Sequence, residues 1–312
     1  MLTVPYVTVD VFTMTPFGGN PLAVIPDARG LSGVLMQQIA AEFHYSEVTF
    51  VLPPDAPENT ARVRIFTPTS EVPFAGHPNV GTAFVLGQAG HLFGRTLGDT
   101  MRFEEGAGLV EVSLLREHTT VVGARIKAPR ALTIDHIIEP PVIAACASLK
   151  VEDIITTHHE PVMASVGLPF ALAEVSELAA LAKAQPNVPA FADADRRYPH
   201  TGIRFSLFLY TRTSTTPFGV RARMFAPFDN VMEDPATGSA SAALAAYLVS
   251  SQTATDLRTD IIVEQGVEMG RRSVIEIEVH KVGGVVQEVL VKGRCVPMMR
   301  GTLQFSNGLV IP

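Results

Sequence analysis

Two short stretches of this chain combine residue types that can bind a carboxylate and move a proton. Residues 71–78 (Glu-Val-Pro-Phe-Ala-Gly-His-Pro) and residues 233–240 (Glu-Asp-Pro-Ala-Thr-Gly-Ser-Ala) share the pattern Glu-x-Pro-x-x-Gly. Each follows a Phe-x-Pro and runs into small residues typical of a helix. We call them the first and second matched loops. Their glycines, Gly76 and Gly238, are 238 − 76 = 162 residues apart in a chain of 312, which predicts two similar lobes.

The glycine and proline residues of each matched loop predict a sharp turn into a helix. The first N–H groups of a helix have no partner within it and carry roughly half a positive charge, so they attract anions. Gly76, Gly238 and Ser239 would thus offer donors to a substrate carboxylate or a developing enolate. The alternative is two ordinary helix starts, with Ser239 as a capping or first-turn serine.

Three titratable side chains suit proton transfer: Glu47, His77 and Asp234. Glu47 stands where a helix pattern ends and a strand begins, and a partly desolvated carboxylate there could be a general acid or base. His77, directly after Gly76, could donate a hydrogen bond or shuttle a proton. Asp234 could orient a substrate amine. Each has a purely structural alternative. Glu47 could be a surface glutamate, His77 a packed histidine at a helix start, and Asp234 a turn-forming aspartate before proline.

Other chemistries lack their sequence signatures. There is no Gly-x-Ser-x-Gly, Gly-x-Gly-x-x-Gly or P-loop pattern. The run of residues 158–160 (His-His-Glu) has no distant ligand pair to complete a metal site, so no metal is predicted. Cys146 and Cys295 lie outside both matched loops, and Cys146 stands in an alanine run typical of a buried helix. A thiol base is therefore not predicted.

Composition predicts a soluble protein. Hydrophobic residues make up 47% of the chain and charged residues 18%, enough for a large core. The net charge of −7 without a basic cluster argues against nucleic acid as a partner. No apolar run has membrane-spanning length, and the first residues lack the features of a signal peptide. These features favour a cytoplasmic location.

The periodicity predicts many strands and few helices. The predicted helices cover residues 31–43, 80–86, 176–184 and 238–250, and residues 186–200 are predicted to form an exposed loop. Because regular strand–helix alternation is missing, we predict an α+β fold of two similar lobes, each a curved, mostly antiparallel sheet wrapped on a central helix. The predicted lobes are residues 1–128 and 129–297, and the last strand, about 298–312, is a candidate for completing the first lobe.

Over nearly its whole length the chain resembles the phenazine-biosynthesis isomerase-like family, also called PhzF-like, on the diaminopimelate epimerase fold. The residues that carry the resemblance lie at 9–13, 19–24, 46–50, 73–78, 233–240, 264–266 and 269–271. The Gly-His-Pro and Glu-Asp-Pro-Ala-Thr-Gly-Ser-Ala pieces, in this order and at this distance, are its most specific part. One departure is Arg272, where a proline often follows the Gly-Arg pair.

The resemblance implies an active site in the cleft between the lobes, in which Glu47 matches the family's catalytic glutamate. His77, Asp234 and Ser239 match site-lining residues, and Gly76 and Gly238 offer backbone donors. It also implies proton transfer without a cofactor, and a homodimer. Epimerase and racemase relatives use a cysteine from each lobe, whereas here the matched loops carry a histidine and the Thr-Gly-Ser run.

The sequence therefore favours a cofactor-independent isomerase that moves a proton within a small carboxylate-bearing substrate. Glu47 would remove the proton and return it elsewhere on the same molecule. Two other hypotheses stay open: an amino-acid epimerase or racemase without catalytic cysteines, and a non-catalytic protein that binds small acids. The substrate and the pathway stay open as well.

Overall fold

The chain folds mostly into β-structure with few helices. The computed structural model describes residues 2–199, 204–215, 218–229 and 231–305. It divides into two compact units, one formed by Met1–Ile126 with Gly293–Pro312 and the other by Lys127–Lys292. Of the predicted last strand, the part beyond residue 305 lies outside the described residues. No helix in the described ranges is long and apolar enough to span a membrane.

The first unit contains two helices. They are α1 (Gly33–Phe43) and α2 (Gly76–Ala89). Its strands, in chain order, are β1 (Leu2–Val11), β2 (Asn20–Ile25), β3 (Glu47–Leu52), β4 (Ala61–Phe66), β5 (Glu71–Val72), β6 (His91–Leu92), β7 (Arg95–Thr96), β8 (Thr100–Glu105), β9 (Gly108–Glu117) and β10 (Thr120–Lys127).

Strand pairing in the first unit brings distant segments side by side. β1 pairs antiparallel with β2, and β2 runs parallel to β3. β3 pairs antiparallel with β4, which runs parallel to β8. Helix α2 is buried along most of its length and contacts β1, β2, β3 and β9. It approaches the strands so closely that a Cβ at Gly81 would lie 2.6 Å from a methyl group of Leu22, so a larger residue there would displace neighbouring core side chains.

The second unit contains four helices within its described residues. They are α3 (Pro140–Ala147), α4 (Leu178–Lys183), α5 (Val188–Arg197) and α6 (Gly238–Ser250). Its strands are β11 (Thr133–Ile137), β12 (Ile154–Ile155), β13 (Val162–Ser165), β14 (Pro169–Val175), β15 (Leu207–Thr215), β16 (Phe218–Ala226), β17 (Val231–Asp234), β18 (Leu257–Gln265) and β19 (Ser273–Val282); the long β20 (Val285–Phe305) starts here and ends in the first unit.

Helix α6 is the buried helix of the second unit. It contacts β13, β14 and β19. The buried ammonium group of Lys281 on β19 donates to the carbonyl oxygens of Val249 (3.3 Å), Ser250 (3.1 Å) and Gln252 (2.6 Å). These carbonyls lie at the C-terminal end of α6, where the helical hydrogen bonds run out, so the lysine adds donors to them and fixes that end.

The predicted exposed loop at residues 186–200 is wrong, because Val188–Arg197 forms α5. Its proline content indicated a loop, but Asn187 caps the helix by accepting a hydrogen bond from Ala190 N, and proline is tolerated in a first helical turn. Phe191 and Ala194, three residues apart, form its buried face. The first-turn proline was a start signal for a helix rather than a sign of a loop.

Candidate active site

Glu47 is the first residue of β3, as the sequence predicted. Helix α1 ends at Phe43, and the left-handed backbone of the C-cap residue His44 (φ 52°) turns the chain back towards the sheet. Ser46 then donates a hydrogen bond from its hydroxyl group to Asn20 Oδ1 (3.1 Å), which joins this turn to the start of β2. The neighbouring strands are parallel here, with Leu22 opposite Glu47. Glu47 is thus presented from a rigid strand end.

His77 lies beside Glu47 within the first unit. Its Nε2 atom is 3.5 Å from Glu47 Oε2, and the two side chains are 5% and 18% exposed. Burial lowers the pKa of His77 to about 3. The imidazole is therefore neutral near pH 7 and can donate or accept a proton without first losing a charge. The structure brings a carboxylate and a neutral imidazole together at one end of α2.

The start of α2 has no side-chain cap. Its N-cap residue is Ala75, which offers no acceptor, and the first turn contains no acidic residue. Gly76, the first helical residue, is buried. The N–H groups of this turn lie beside His77 and lack the cap that most helix starts have, so this end of the helix is suited to an anion.

Asp234 is the last residue of β17 and is buried in a hydrogen-bonded loop. Thr237 donates from Oγ1 to Asp234 Oδ2. Gln265, at the end of β18, donates from Nε2 to the Asp234 carbonyl oxygen (2.7 Å) and accepts from Thr237 N (3.0 Å). The Gln265 side chain is completely buried. The second matched loop is therefore held from the side by a glutamine 31 residues further along the chain.

Gly238 and Ser239 begin α6 in the second unit. The N-cap residue Thr237 uses its hydroxyl group on Asp234, so it does not cap the helix. Ser239 is partly buried, and its hydroxyl group makes no hydrogen bond to another described residue. Uncapped helix starts thus follow both matched loops.

Close packing around Gly266 explains the Glu-Gln-Gly run at residues 264–266. Gly266 has φ +73°, and a Cβ there would lie 2.6 Å from the Pro235 carbonyl oxygen. The same oxygen accepts a hydrogen bond from the Ser273 hydroxyl group (2.7 Å). Only glycine allows this approach, which brings Gln265 against the second matched loop.

The predicted site residues fall into two groups, one in each unit. Glu47, Gly76 and His77 lie together in the first unit, and Asp234, Gly238 and Ser239 lie along one loop and helix start of the second. Sequence reasoning missed Gln265 as a positioning residue. The sequence signal that could have identified it is its position directly before Gly266, in the run of residues 264–266 that carries the family resemblance.

Neither cysteine is placed to act as a base. Burial raises the pKa of the Cys146 thiol to about 12, with the charge of Asp193 adding to the effect. Burial also raises the pKa of Cys295 well above its ordinary value. Both thiols therefore stay protonated at neutral pH, and a protonated thiol is a poor base and a poor nucleophile.

The His-His-Glu run at residues 158–160 belongs to a separate cluster in the second unit. His158 binds the buried Glu174 carboxylate (2.9 Å), which also accepts from Arg212 (3.0 Å) and from the Tyr210 hydroxyl group (3.1 Å). No group of three or more histidine, cysteine or acidic residues in the described ranges could hold a metal ion.

Two proteins named as isomerases are similar in sequence to nearly the whole of this chain. The chain is 36% identical over 308 residues to an uncharacterized isomerase of Mesorhizobium japonicum, covering 97% of this chain and 99% of that one. It is 35% identical to the trans-2,3-dihydro-3-hydroxyanthranilate isomerase of Pseudomonas aeruginosa, covering 95% and 98% of the two chains.

A crystal structure of a PhzF-family phenazine biosynthesis protein from Bacillus anthracis shares the fold. It superimposes with a TM-score of 0.85 at 24% identity, covering 98% of this chain and all of the other. The family model for phenazine biosynthesis-like proteins (PhzC-PhzF) matches residues 9–301, which include both matched loops. The chain therefore belongs to the PhzF family of phenazine biosynthesis-like proteins.

Proposed function

We propose that this protein is a cofactor-independent isomerase that moves a proton between two positions of a small carboxylate-bearing substrate. The observation that carries the proposal is the Glu47–His77 pair, a carboxylate 3.5 Å from a buried imidazole at an uncapped helix start. Such a pair supplies a base and a neutral hydrogen-bonding partner in one place. Family relatives named as isomerases support the reaction class.

Glu47 is the proton carrier in this proposal. Its carboxylate removes a proton from a carbon next to an unsaturated system and becomes a carboxylic acid. The same group then returns the proton to another carbon, so the reaction is balanced without another reagent. A carboxylate that is mostly buried on a rigid strand end suits both steps, because its position is fixed and its solvation is weak.

The substrate is held by backbone donors and oriented by side chains. We assign the substrate carboxylate to the N–H groups at Gly76–His77 and at Gly238–Ser239, because neither helix start has a side-chain cap. His77 and Asp234 would orient the amine or hydroxyl group of the substrate and adjust the protonation of the reacting carboxyl group. That both groups act on one substrate molecule is part of the proposal and rests on the matched loops in the sequence.

The relatives support a proposal for the substrate class. The Pseudomonas aeruginosa relative is named for trans-2,3-dihydro-3-hydroxyanthranilate, a cyclic unsaturated amino acid. We propose a substrate of that class, with a carboxylate and an amine or hydroxyl group on an unsaturated framework. The finer predictions of two similar lobes, each with a central helix, of a cytoplasmic location and of a homodimer also remain proposals.

The test is solvent-deuterium incorporation. The protein is incubated in D₂O with trans-2,3-dihydro-3-hydroxyanthranilate and a panel of amino and hydroxy acids, and the products are analysed by NMR. Deuterium at a carbon other than the one that lost its proton supports an isomerase. Deuterium at the same carbon with loss of optical rotation supports the epimerase or racemase alternative. A compound that binds without any exchange supports the small-acid binding protein instead.

A further inference from the structure

Glu105, the last residue of β8, has a carboxyl group that is buried without a hydrogen-bond partner. Both of its oxygens are shielded from solvent, and neither forms a well-aligned hydrogen bond within the described ranges. The same holds for Oδ1 of Asn79 in the first turn of α2. Asn79 is close enough to the carboxyl group of Glu105 to influence its protonation. Three buried acceptor atoms thus lie in one region without a well-aligned hydrogen bond.

A proton on Glu105 would resolve this shortage of donors. Burial raises the pKa of Glu105 from 4.5 to about 8, and Asn79 lowers it only in part. At pH 7 the group is mostly a neutral carboxylic acid, which has one O–H donor. That O–H group can donate to Asn79 Oδ1, so one proton would give a hydrogen bond both to an oxygen of Glu105 and to the amide oxygen of Asn79. An ionised carboxylate would leave all three acceptors unpaired.

The region around Glu105 is joined to the first matched loop. Asn79 Nδ2 donates to the Ala75 carbonyl oxygen (3.0 Å), directly before Gly76. The chain after Glu105 is also attached, because Ala107 N donates to the Pro73 carbonyl oxygen (2.9 Å). A Cβ at Gly106 would lie 3.0 Å from Pro73 Cα, so the two backbones touch here. A shift at Glu105 would therefore move the turn that carries His77.

We propose that Glu105 is a positioning residue of the candidate site: as a neutral carboxylic acid it donates to Asn79 and so fixes the helix start at Gly76 and His77. It does not contact the substrate. Its effect on catalysis rests on the proposed function, whereas its protonation and its effect on the helix start do not. Its ionisation above about pH 8 would release Asn79 and loosen this turn.

Charged groups on the neighbouring elements are paired elsewhere. On β4, Arg62 is 3.3 Å from Asp55 and Arg64 binds Glu71 of β5. On β9, Glu111 is 3.9 Å from Arg102, Arg116 binds Asp99 and Glu117 binds Arg294. On β8 itself, Glu104 accepts from Asn59. On α2, the one titratable group is His77, which is neutral beside Glu47. None of these is a cationic partner for an ionised Glu105.

The first experiment measures the proton and the helix start directly, without a substrate. The ¹³C-carboxyl resonance of Glu105, assigned by its loss in Glu105→Gln, is followed from pH 4 to 9. We expect a midpoint near pH 8; a midpoint near the ordinary 4.5 would overturn the proposal. Hydrogen exchange of residues 73–80 at pH 7 is expected to be faster in Glu105→Ala than in the wild type, and unchanged in Glu105→Gln, which keeps a donor.

The second experiment measures turnover against pH with a substrate found in the deuterium screen. Wild type is expected to lose activity above pH 8, and Glu105→Gln to keep it, because an amide does not ionise. Glu105→Ala should lose roughly five- to tenfold in kcat/KM at all pH values, the effect of about one hydrogen bond. Glu111→Gln, an exposed change on β9, serves as the matched control and should behave as wild type.

The two proposals can fail separately. Parallel pH profiles for wild type and Glu105→Gln, or full activity of Glu105→Ala, would refute the positioning role while leaving the isomerase intact. If no compound in the panel undergoes exchange, the proposed function fails, and the NMR titration and the hydrogen exchange still decide whether Glu105 holds a proton and fixes the helix start.

Discussion

Arg64 and Glu71 form a two-point ion pair at the beginning of the first matched loop, with Nε 2.7 Å from Oε1 and Nη2 2.6 Å from Oε2. Arg223 and Glu233 repeat it at the second, at 2.7 and 2.8 Å. In both cases the arginine also lies over the phenylalanine two residues further along, 5.0 and 4.9 Å from the ring centre. The first glutamate of each matched loop is thus bound to an arginine on an earlier strand, β4 in the first unit and β16 in the second.

The second of these pairs is expected to matter more for stability than the first. The Arg223 side chain is 4% exposed against 27% for Arg64, and its Nη1 also donates to the carbonyl oxygens of Leu181 and Ala184. Arg223→Met leaves Glu233 without its partner and should cost about 3–5 kcal/mol of unfolding free energy. Arg64→Met should cost about 1 kcal/mol or less, because its pair is hydrated. Urea denaturation measures both; equal losses would contradict this assignment.

Removing the Gln265 side chain should loosen the second matched loop. Gln265→Ala removes the buried hydrogen bonds to the Asp234 carbonyl oxygen and from Thr237 N, at a cost of about 2–4 kcal/mol. Turnover should fall as well, because the start of α6 is no longer fixed. Gln287→Ala, an exposed glutamine on β20, is the control and should stay within about 0.5 kcal/mol of wild type. Thermal unfolding and kcat/KM of both variants check this prediction. An unchanged Tm and an unchanged kcat/KM in Gln265→Ala would contradict it.

His77 should make folding depend on pH in acid. Its folded pKa is about 3, below the ordinary 6.5, so between these values the unfolded chain binds a proton that the folded protein does not. This contribution to stability is present above pH 6.5 and is lost as the pH falls towards 3, at up to about 1.4 kcal/mol per pH unit. The unfolding free energy of wild type relative to His77→Gln should therefore decrease from pH 7 to 4. A pH-independent difference would mean that His77 protonates normally and would contradict this assignment.

The cysteines should be dispensable for turnover. Both thiols are buried with raised pKa values, so the double variant Cys146→Ala, Cys295→Ala should keep kcat within about threefold of wild type, apart from a loss of stability. Iodoacetamide should label the native protein slowly at pH 7.5. Loss of all turnover in a folded double variant would instead favour thiol-based epimerisation.

Local patterns predicted the elements that carry the candidate residues. The start of β3 at Glu47 and the helix starts at Gly76 and Gly238 depend on turn residues and nearby periodicity, which are visible in the chain. Glu105 and Gln265 were not predictable in this way. Glu105 reaches Asn79 only through the pairing of β8 with the rest of its unit, and Gln265 reaches Asp234 across 31 residues.

The last strand shows a second limit of local patterns. The last strand was predicted to begin at about residue 298, whereas the strand that contains this position, Val285–Phe305, is continuous. Pro297 interrupts the pattern because it has no N–H to donate. In the structure it lies where the pairing of β1 with β20 shifts register between Thr8 and Val9, and Met299 N donates to the Thr8 hydroxyl group instead (3.0 Å). The extra residue of this bulge is Met298 in β20 itself, next to the proline, and a single sequence does not reveal such a bulge.

The most direct test of the account is deuterium incorporation by wild type and Glu47→Gln, side by side, with trans-2,3-dihydro-3-hydroxyanthranilate in D₂O. The amide keeps the shape of the carboxyl group but cannot carry the proton, so we expect exchange to fall by roughly 10²-fold or more. The variant should still bind the substrate, because the helix starts that we assign to its carboxylate are unchanged. Exchange at the wild-type rate in Glu47→Gln would contradict the role of Glu47 and with it the proposed mechanism.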